Sequence, residues 1–205
     1  MTRITRKNDY IKDKLYDFKN PIILEFGVNR GGSTKFFLDY VENYNGKVYS
    51  VDIKDCSEVS NSKKWEFLLA NDLNYNYIIT KFPEISEKGI DILFVDSYHD
   101  PSHVRLLLEK WSKLVNNKGI IFLDDTESLN YRLRKKFIFS VVNDEIDKVV
   151  KNFYYSNHDQ YIYTKHYMGA GLSYLEKKSD KGSELSNKRV WKYSFINSQI
   201  YIFLK

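Results

Sequence analysis

The sequence contains a single cysteine, Cys56, so the chain cannot form an intramolecular disulfide. It has no apolar run near the ~18 residues that a membrane-spanning helix needs. The N-terminal stretch MTRITRKNDYIKDKLYDF also lacks the apolar segment of a signal peptide. These absences predict a protein of a reducing compartment, the cytoplasm, without a membrane partner.

The chain also lacks a concentrated patch of charge of one sign. Its 205 residues carry a formal net charge of +5, and the basic residues lie in separate segments mixed with acids. A solvated surface explains this distribution better than a nucleic-acid-binding face, although nucleic acid stays open as a partner. The length fits one domain with a substantial core.

Alternating apolar segments predict an α/β fold. Ile11, Leu15 and Phe18 recur at helical spacing, which indicates an amphipathic N-terminal helix. A later helix has Asp100 as its predicted cap and Pro101 in its first turn. Five apolar runs read as strands: PIILEF, GKVYSVDI, WEFLLA, GIDILFVD and GIIFLDD. Helices between near-continuous apolar strands favour a single, Rossmann-like, doubly wound domain with a mostly parallel sheet.

The C-terminal third predicts a helix over residues 129–152 and then further strands. The predicted strands lie in QYIYTKHY, GAGLSYLEK and RVWKYSFINSQIYIFLK. They follow one another without long helical segments between them, so we expect antiparallel strands at one edge of the sheet.

Acidic residues stand at the carboxyl ends of the predicted strands. They are Glu25, Asp52, Asp72, Asp96, Asp124 and Asp125. Ligands of open α/β sheets bind beyond these strand ends. Folding alone is a poor explanation for so many acids at one edge, so the pattern predicts a ligand site there.

Three of the nine glycines, Gly27, Gly31 and Gly32, stand together after the first strand. With Glu25 they form E-x-G-x-x-x-G, which lacks both the G-x-G-x-x-G of a dinucleotide site and the G-K-[ST] of a P-loop. Glycine would let the backbone turn tightly and approach a ligand. A helix beginning near residue 32 would direct free amides at an anionic group. A plain strand-to-helix turn is the alternative.

Two acids further along are candidates for contact with a nucleoside. Asp52 follows the glycines by about twenty residues, the usual place of an acid that bonds the hydroxyls of a ribose. Asp72 has two interpretations, because it could cap a helix or accept a hydrogen bond from the exocyclic amine of an adenine.

The segments ILEFGVNRGGST, VYSVDI, DILFVDSYHDPSHV and NKGIIFLDD together resemble the class I S-adenosylmethionine-dependent methyltransferases. The resemblance covers roughly residues 20–126. More narrowly, it points to the small-molecule O-methyltransferases grouped with macrocin O-methyltransferase and cephalosporin hydroxylase-like proteins. The chain departs from that group at Ser97-Tyr98, where glycine often follows the acid, and at Lys118-Gly119, where two glycines are common.

The resemblance implies a site for S-adenosylmethionine at the glycine turn. Glu25, Gly27 and Gly31 would surround the methionine part of this cofactor. Ser33 and Thr34 would lie near its carboxylate.

The resemblance also implies roles for acids of the later strands. Asp52 would hold the ribose of the cofactor, and Asp72 would lie at the adenine. Asp96, Asp124 and Asp125 would hold a divalent cation. Three carboxylates without a thiol favour Mg²⁺ or Mn²⁺ over Zn²⁺. Alternatively, Asp124 or Asp125 caps the segment that follows it.

His99 stands three residues after Asp96 and before the next helix, so we expect it to face the same cleft. An imidazole titrates near neutral pH, which makes His99 the candidate general base for the acceptor hydroxyl, with Asp96 beside it as the second catalytic candidate. The alternative is a histidine that only bonds to the backbone.

We therefore divide the single domain 1–205 into an N-terminal helix (1–20), a cofactor-binding core (21–126) and a C-terminal part (127–205) that contributes to acceptor binding. The predicted function is methyl transfer from S-adenosylmethionine to a hydroxyl of a small molecule, such as a sugar or natural product, with metal assistance. An RNA or cap methyltransferase and a non-catalytic cofactor-binding protein are the alternatives, and a homo-oligomer stays open.

Overall fold

One seven-stranded sheet forms the centre of the protein in the computed structural model, which describes residues 3–16, 18–133, 137–167 and 169–178. The strands are β1 Ile22–Phe26, β2 Lys47–Asp52, β3 Trp65–Leu69, β4 Ile90–Val95, β5 Val115–Asp124, β6 Tyr161–His166 and β7 Leu172–Lys177. The predicted strand region at residues 189–205 and the polar loop before it lie outside the described residues.

Helices connect the strands and cover both faces of the sheet. They are α1 Arg3–Leu15, α2 Gly32–Tyr44, α3 Tyr75–Lys81, α4 Pro83–Lys88, α5 Pro101–Trp111, α6 Leu129–Leu133 and α7 Phe137–Ser156. Within the described part of the chain, none of these helices has the length and hydropathy to cross a membrane.

The strand order is β3-β2-β1-β4-β5-β7-β6. Strands β1 to β5 pair in parallel, whereas β7 runs antiparallel to β5 and β6 runs antiparallel to β7. This arrangement confirms the predicted fold of a mostly parallel sheet with antiparallel C-terminal strands. The carboxyl ends of β1 to β5 consequently meet at one edge of the sheet.

The alternation of side chains along each strand divides the core into two layers. Ile23 and Phe94 pack with α1 and α2 on one face. Leu24 and Leu93 pack with α3, α4, α5 and α7 on the other face. Each parallel strand is therefore apolar on both sides, which explains why the strands read as continuous apolar runs.

Helix α1 is fixed to the first of these faces by its apolar stripe. Ile11 and Leu15 are buried, as their helical spacing predicted. Tyr10 stacks on His166 of β6 with ring centroids 3.9 Å apart. The hydroxyl of Tyr40 in α2 donates to the backbone carbonyl of Leu15. These contacts hold the N-terminal helix across β1, β4, β5 and β7 and set the position of its polar residues at the sheet edge.

The capping prediction for α5 is confirmed. Asp100 accepts a hydrogen bond from the backbone N–H of His103 at 2.9 Å, and Pro101 occupies the first turn. This cap fixes where the chain turns after β4, and so it fixes the residues between Val95 and the helix at the ligand-binding edge.

The glycine turn after β1 packs tightly against the protein itself. Gly27 has φ +92°, and a Cβ built there would lie 2.1 Å from the carbonyl oxygen of Asp96. Gly31 has φ +74°, and its Cβ would lie 2.2 Å from a methyl carbon of Val59. Gly32, by contrast, faces open space. Two of the three glycines are therefore required by backbone conformation and close packing, so the strand-to-helix turn explains most of this motif.

We predict that Gly27→Ala lowers the free energy of unfolding by about 3 kcal/mol, because it combines a left-handed backbone with a clash against a backbone carbonyl. Gly32→Ala is the matched control in the same turn and should change stability by no more than about 0.5 kcal/mol. Urea unfolding of both variants measures the difference. Equal stabilities for the two variants would contradict the packing described above.

Candidate active site

Glu25, at the end of β1, is fully buried beneath the turn. Its carboxylate accepts hydrogen bonds from the hydroxyls of Ser33 at 2.5 Å, Thr34 at 2.7 Å and Ser50 at 2.6 Å. The indole N–H of Trp65 donates to the same Ser50 hydroxyl at 2.9 Å. Burial raises the pKa of Glu25, and the three hydroxyls act in the opposite direction. The carboxylate therefore ties the start of α2 to β1 and β2 from inside the protein.

This network determines what the start of α2 presents at the sheet edge. The hydroxyls of Ser33 and Thr34 point to Glu25. The first amides of α2 have no acceptor within the helix, and its N-cap Gly31 supplies no side chain. Backbone amides beside the open edge at Gly32 are thus the groups available here for an anionic ligand. The direct roles of Glu25, Ser33 and Thr34 towards a cofactor stay predictions.

Asp52, at the end of β2, lies beside the glycine turn and is half-buried. One carboxylate oxygen accepts from the backbone N–H groups of Val28 at 2.8 Å and Asn29 at 3.1 Å, and the other accepts from Lys54 at 2.9 Å. Partial burial favours the protonated form, but these backbone donors outweigh it and lower the pKa of Asp52. An ionised carboxylate is held next to the turn, where the sequence predicted contact with a ribose.

Asp72, which follows β3, belongs to a buried polar network. Its carboxylate accepts a hydrogen bond from the Ser97 hydroxyl at 2.5 Å and lies 3.0 Å from Nε2 of His103. The indole of Trp111 donates to its backbone carbonyl at 3.1 Å. Helix α3 begins later, with Asn74 as N-cap and no side-chain cap bond. The carboxylate therefore links β3 to the β4–α5 turn, and it does not cap α3.

The acids at the ends of β4 and β5 converge, together with His99. Nε2 of His99 lies 3.6 Å from Oδ1 of Asp96 and 3.3 Å from Oδ2 of Asp125. Asp124 joins them through Lys7 of α1, whose Nζ donates to Oδ2 of Asp124 and lies 3.8 Å from Oδ2 of Asp96. We call these five residues the acid cluster. It contains every residue predicted to bind metal or act as a base, and it adds Lys7.

The register of the strands explains this convergence. Phe94 pairs with Phe122 and Val95 with Leu123, so Asp96 and Asp124 are the next residues on neighbouring parallel strands. Both therefore point to the face that α1 covers. Asp125 has φ +54°, a left-handed conformation that ends the strand and turns the chain towards His99. Neither Asp124 nor Asp125 needs the alternative role of a helix cap to explain its position.

Burial and the crowding of carboxylates set the electrostatics of the acid cluster. Burial raises the pKa of Asp96 to about 8, and the negative charge of Asp124 adds to this effect, while Lys7 opposes it. Burial of Lys7 favours a neutral amine, but the charges of Asp124 and Asp96 outweigh it and raise its pKa. Lys7 therefore stays cationic, and the cluster needs a cation or a proton to hold its acids together.

The acid cluster has the ligand atoms that a divalent cation prefers, but these atoms are not arranged around one point as in a metal site. Its carboxylate oxygens are the hard ligands that Mg²⁺ and Mn²⁺ prefer. Within the described ranges, however, no group of three or more Asp, Glu, His or Cys side chains has the geometry of a metal site. The ammonium of Lys7 lies against the oxygens of Asp96 and Asp124.

Lys7 is the residue of the acid cluster that was not predicted from the sequence. It precedes Ile11 by one helical turn and Leu15 by two, so it extends the buried stripe of α1. A lysine on an apolar stripe is a signal for a buried ion pair or a site. That signal was present in the sequence, but its partners on β4 and β5 were not visible there.

In a parallel α/β sheet ligands bind beyond the carboxyl ends of the strands, which is where the acids and the glycine turn lie in this protein. The model of the family described as "Methyltransferase domain" matches residues 24–126. This match spans half of the chain and includes every predicted cofactor and metal residue. The chain belongs to this methyltransferase family. No protein of curated function matches it.

Solved structures share the fold at low sequence identity. The MycE methyltransferase from the mycinamycin biosynthetic pathway, in complex with Mg and SAH, has a TM-score of 0.62 and 17% identity over 87% of this chain. The chain spans only about half of MycE, 51% of its length. The narrower resemblance to the macrocin O-methyltransferase group stays a prediction.

Two further structures match over more of their own length. A putative caffeoyl-CoA O-methyltransferase from Staphylococcus aureus has a TM-score of 0.60 and 14% identity, covering 85% of this chain and 82% of that one. A putative rRNA-methylase from Clostridium thermocellum has a TM-score of 0.61 and 15% identity, covering 87% of this chain and 97% of that one. Identities this low show a common fold, and they do not show a common activity or substrate.

We predict that Asp96 makes the stability of the protein depend on pH. An unfolded Asp loses its proton near pH 3.8, whereas folded Asp96 keeps it until about pH 8. In that window the native state binds more protons than the unfolded state, so its contribution to stability falls as pH rises and is constant above about pH 8. Urea unfolding of wild type and Asp96→Asn between pH 5 and 9 isolates this contribution. A difference between them that rises with pH would contradict the burial of Asp96 among acids.

Proposed function

We propose that the protein transfers methyl from S-adenosylmethionine to a hydroxyl of a small molecule, such as a sugar or natural-product intermediate. The observation that carries this proposal is the position of the acid cluster beside the glycine turn. The backbone of Asp96 packs directly against Gly27. A methyl donor lying over the turn would therefore have its reactive end next to the groups that can ionise an acceptor.

The geometry around the turn supports a nucleoside-containing cofactor. The ionised carboxylate of Asp52 is a suitable acceptor for ribose hydroxyls. Amides at the start of α2 are suitable donors for a carboxylate. Asp72, whose carboxylate contacts Ser97 and His103, is our candidate for the residue beside the adenine. Glu25 supports the site indirectly, because it fixes the turn from below.

Methyl transfer to an alcohol requires removal of the acceptor proton, since the sulfonium donor is already electrophilic. His99 is our candidate for the base that takes this proton. Its Nε2 lies 3.3 Å from Oδ2 of Asp125, and a negative charge on that carboxylate would stabilise the imidazolium that forms. The positive charge of Lys7 in the same cluster would favour an acceptor oxygen that is becoming negative.

The proposal also includes a divalent cation that assists the methyl transfer. Asp96, Asp124 and Asp125 are the residues that would hold Mg²⁺ or Mn²⁺. A bound divalent cation would lower the pKa of an acceptor hydroxyl and orient its oxygen. The presence of Mg in the MycE complex is consistent with this idea, but that observation concerns MycE alone.

We predict that His99→Asn lowers kcat for methyl transfer by about 10²-fold or more, because the variant has lost its general base. The affinity for S-adenosylhomocysteine should stay within about twofold. His158→Asn is the control, since His158 is exposed and its Nδ1 lies 3.1 Å from the backbone carbonyl oxygen of Tyr155. Transfer of a labelled methyl group to a panel of sugars, phenols and glycosides gives the rates. An unchanged rate in His99→Asn would remove His99 from the mechanism.

We predict that Asp52→Ala weakens S-adenosylhomocysteine binding at least about tenfold, because a charged hydrogen-bond acceptor for the ribose is lost. Asp55→Ala removes an exposed carboxylate three residues away and should bind as wild type does. Calorimetric titration measures affinity, and thermal unfolding of both variants checks that the turn is intact. Equal affinities would place the nucleoside elsewhere. Cofactor binding without turnover on any acceptor would favour the alternative of a non-catalytic protein.

An RNA methyltransferase is the second candidate. It is favoured by the length of the putative rRNA-methylase, of which this chain covers 97%. The ribose 2′-O class typically uses a Lys-Asp-Lys-Glu tetrad with a lysine at the end of the fifth strand. Here that position has Asp124 and Asp125, which would repel a phosphate backbone, although Lys7 lies near Asp96. Binding to a capped oligonucleotide that weakens steeply with salt would favour this candidate.

A further inference from the structure

A second group of buried charges lies outside the acid cluster, between β6, α7 and the segment that follows β5. The ammonium of Lys165 on β6 lies 2.9 Å from Oδ1 of Asp147 on α7 and 3.3 Å from Oε2 of Glu127. Only 7% of the Lys165 side chain is exposed. We call these three residues the Lys165 network. Buried ion pairs often add little to stability compared with apolar packing, so this network calls for another explanation.

Glu127 connects the Lys165 network to the backbone that carries the acid cluster. Its Oε1 accepts hydrogen bonds from the backbone N–H groups of Ser128 at 2.9 Å and Leu129 at 2.8 Å. Its own backbone N–H donates to the carbonyl oxygen of Ala170 at 2.6 Å. Its backbone carbonyl accepts from the side-chain amide of Asn143 at 3.0 Å. Glu127 therefore fixes the chain after β5 with both its side chain and its backbone.

The sheet places the Lys165 network and the acid cluster on opposite faces. Leu123 and Lys165 lie in one cross-strand row of β5, β7 and β6, on the face that α7 covers. Asp124 is the next residue of β5, and it points to the face that α1 covers. The chain from Asp124 to Glu127 therefore passes over the edge of the sheet, and the left-handed turn at Asp125 lies between them.

Loss of the Lys165 charge would leave the carboxylates of Glu127 and Asp147 without their shared cation. A buried carboxylate that has lost its partner is far more costly than a lost neutral hydrogen bond. Glu127 would therefore move towards water, and Asp125, two residues earlier, would move with it. Oδ2 of Asp125 lies 3.3 Å from Nε2 of His99, so this contact would be the first in the acid cluster to change.

We propose that Lys165 is a positioning residue of the candidate active site, and that it acts through Glu127 to hold Asp125 beside His99. The inference rests on the proposed function, because it gives Lys165 a part in aligning the candidate base. A purely structural ion pair would contribute to stability and leave the surroundings of His99 unchanged. The two roles therefore predict different results at His99.

Nuclear magnetic resonance of the histidine rings tests the inference without requiring methyl transfer. The chain has four histidines, and the ring signal missing in His99→Asn belongs to His99. We expect Lys165→Met to shift this signal by several linewidths at constant pH, because the carboxylate of Asp125 has moved. Lys151→Met is the matched control, since Lys151 pairs with Asp147 at 2.6 Å but is 40% exposed. Its His99 signal should coincide with that of wild type.

An unshifted His99 signal in Lys165→Met would overturn the inference, and so would an equal shift in Lys151→Met. Glu127→Asp is the second variant, and it decides the matter if Lys165→Met does not fold. It keeps the negative charge but shortens the side chain by one methylene, so the carboxylate no longer reaches Lys165. A shifted His99 signal in Glu127→Asp supports the inference, and an unshifted signal overturns it.

Kinetics of methyl transfer separate a positioning role from a general loss of structure. We expect Lys165→Met to lower kcat at least about tenfold, because a small misplacement of catalytic groups is costly. The affinity for S-adenosylhomocysteine should stay within about twofold, since the glycine turn does not contact the Lys165 network. A wild-type protein that transfers no methyl would defeat the proposed function, whereas the His99 signal decides the inference on Lys165 by itself.

A double variant tests whether Lys165 acts through Glu127. Adding Glu127→Gln to Lys165→Met removes the unpaired charge, and the amide oxygen of the glutamine can still accept from the amides of Ser128 and Leu129. The two changes should be strongly non-additive, with kcat of the double variant within about threefold of wild type. A kcat as low as that of Lys165→Met, or lower, would overturn the route through Glu127.

Discussion

The parallel alignment of β1 with β4 is the constraint on which the site depends. Gly27 and Asp96 are the residues directly beyond these two strands, and their backbones touch so closely that only glycine fits at residue 27. This contact brings the turn that leads into α2 next to the acids that end β4 and β5. A side chain at residue 27 would push these two parts of the edge apart. The proximity of the glycine turn and the acid cluster is thus a consequence of backbone packing.

Two acids at this edge have different environments, since Glu25 is fully buried and the side chain of Asp96 is 30% exposed. The carboxylate of Glu25 accepts hydrogen bonds from three hydroxyl groups of the protein, so it is satisfied without a ligand. Asp96 faces other carboxylates and is stabilised by a lysine, a histidine or a proton. The first arrangement makes a rigid support for the turn. The second is a site whose charge changes when a cation, a proton or a ligand is added, which is the property that a catalytic centre requires.

Much of the fold was predictable because periodicity is a local property. The helical spacing of Ile11 and Leu15, the apolar runs of the parallel strands and the cap at Asp100 each depend on neighbouring residues alone. The purpose of the glycines was harder to predict. The same motif fits a ligand and a tight turn, and only the distances from Gly27 to Asp96 and from Gly31 to Val59 show how much of it the protein itself requires. The helices α3 and α4 are short and carry too weak a pattern to have been predicted.

The sequence by itself determined which acids end the strands, because each stands directly after an apolar run. From this it followed that Asp52, Asp96 and Asp124 share one edge of the sheet. Only the tertiary structure decided which groups surround each of them. The partner of Asp72 is His103 on another element, and the cation beside Asp124 is Lys7, 117 residues away along the chain. Such contacts depend on how helices lie across the sheet, and helix placement is set by long-range packing that no local pattern records.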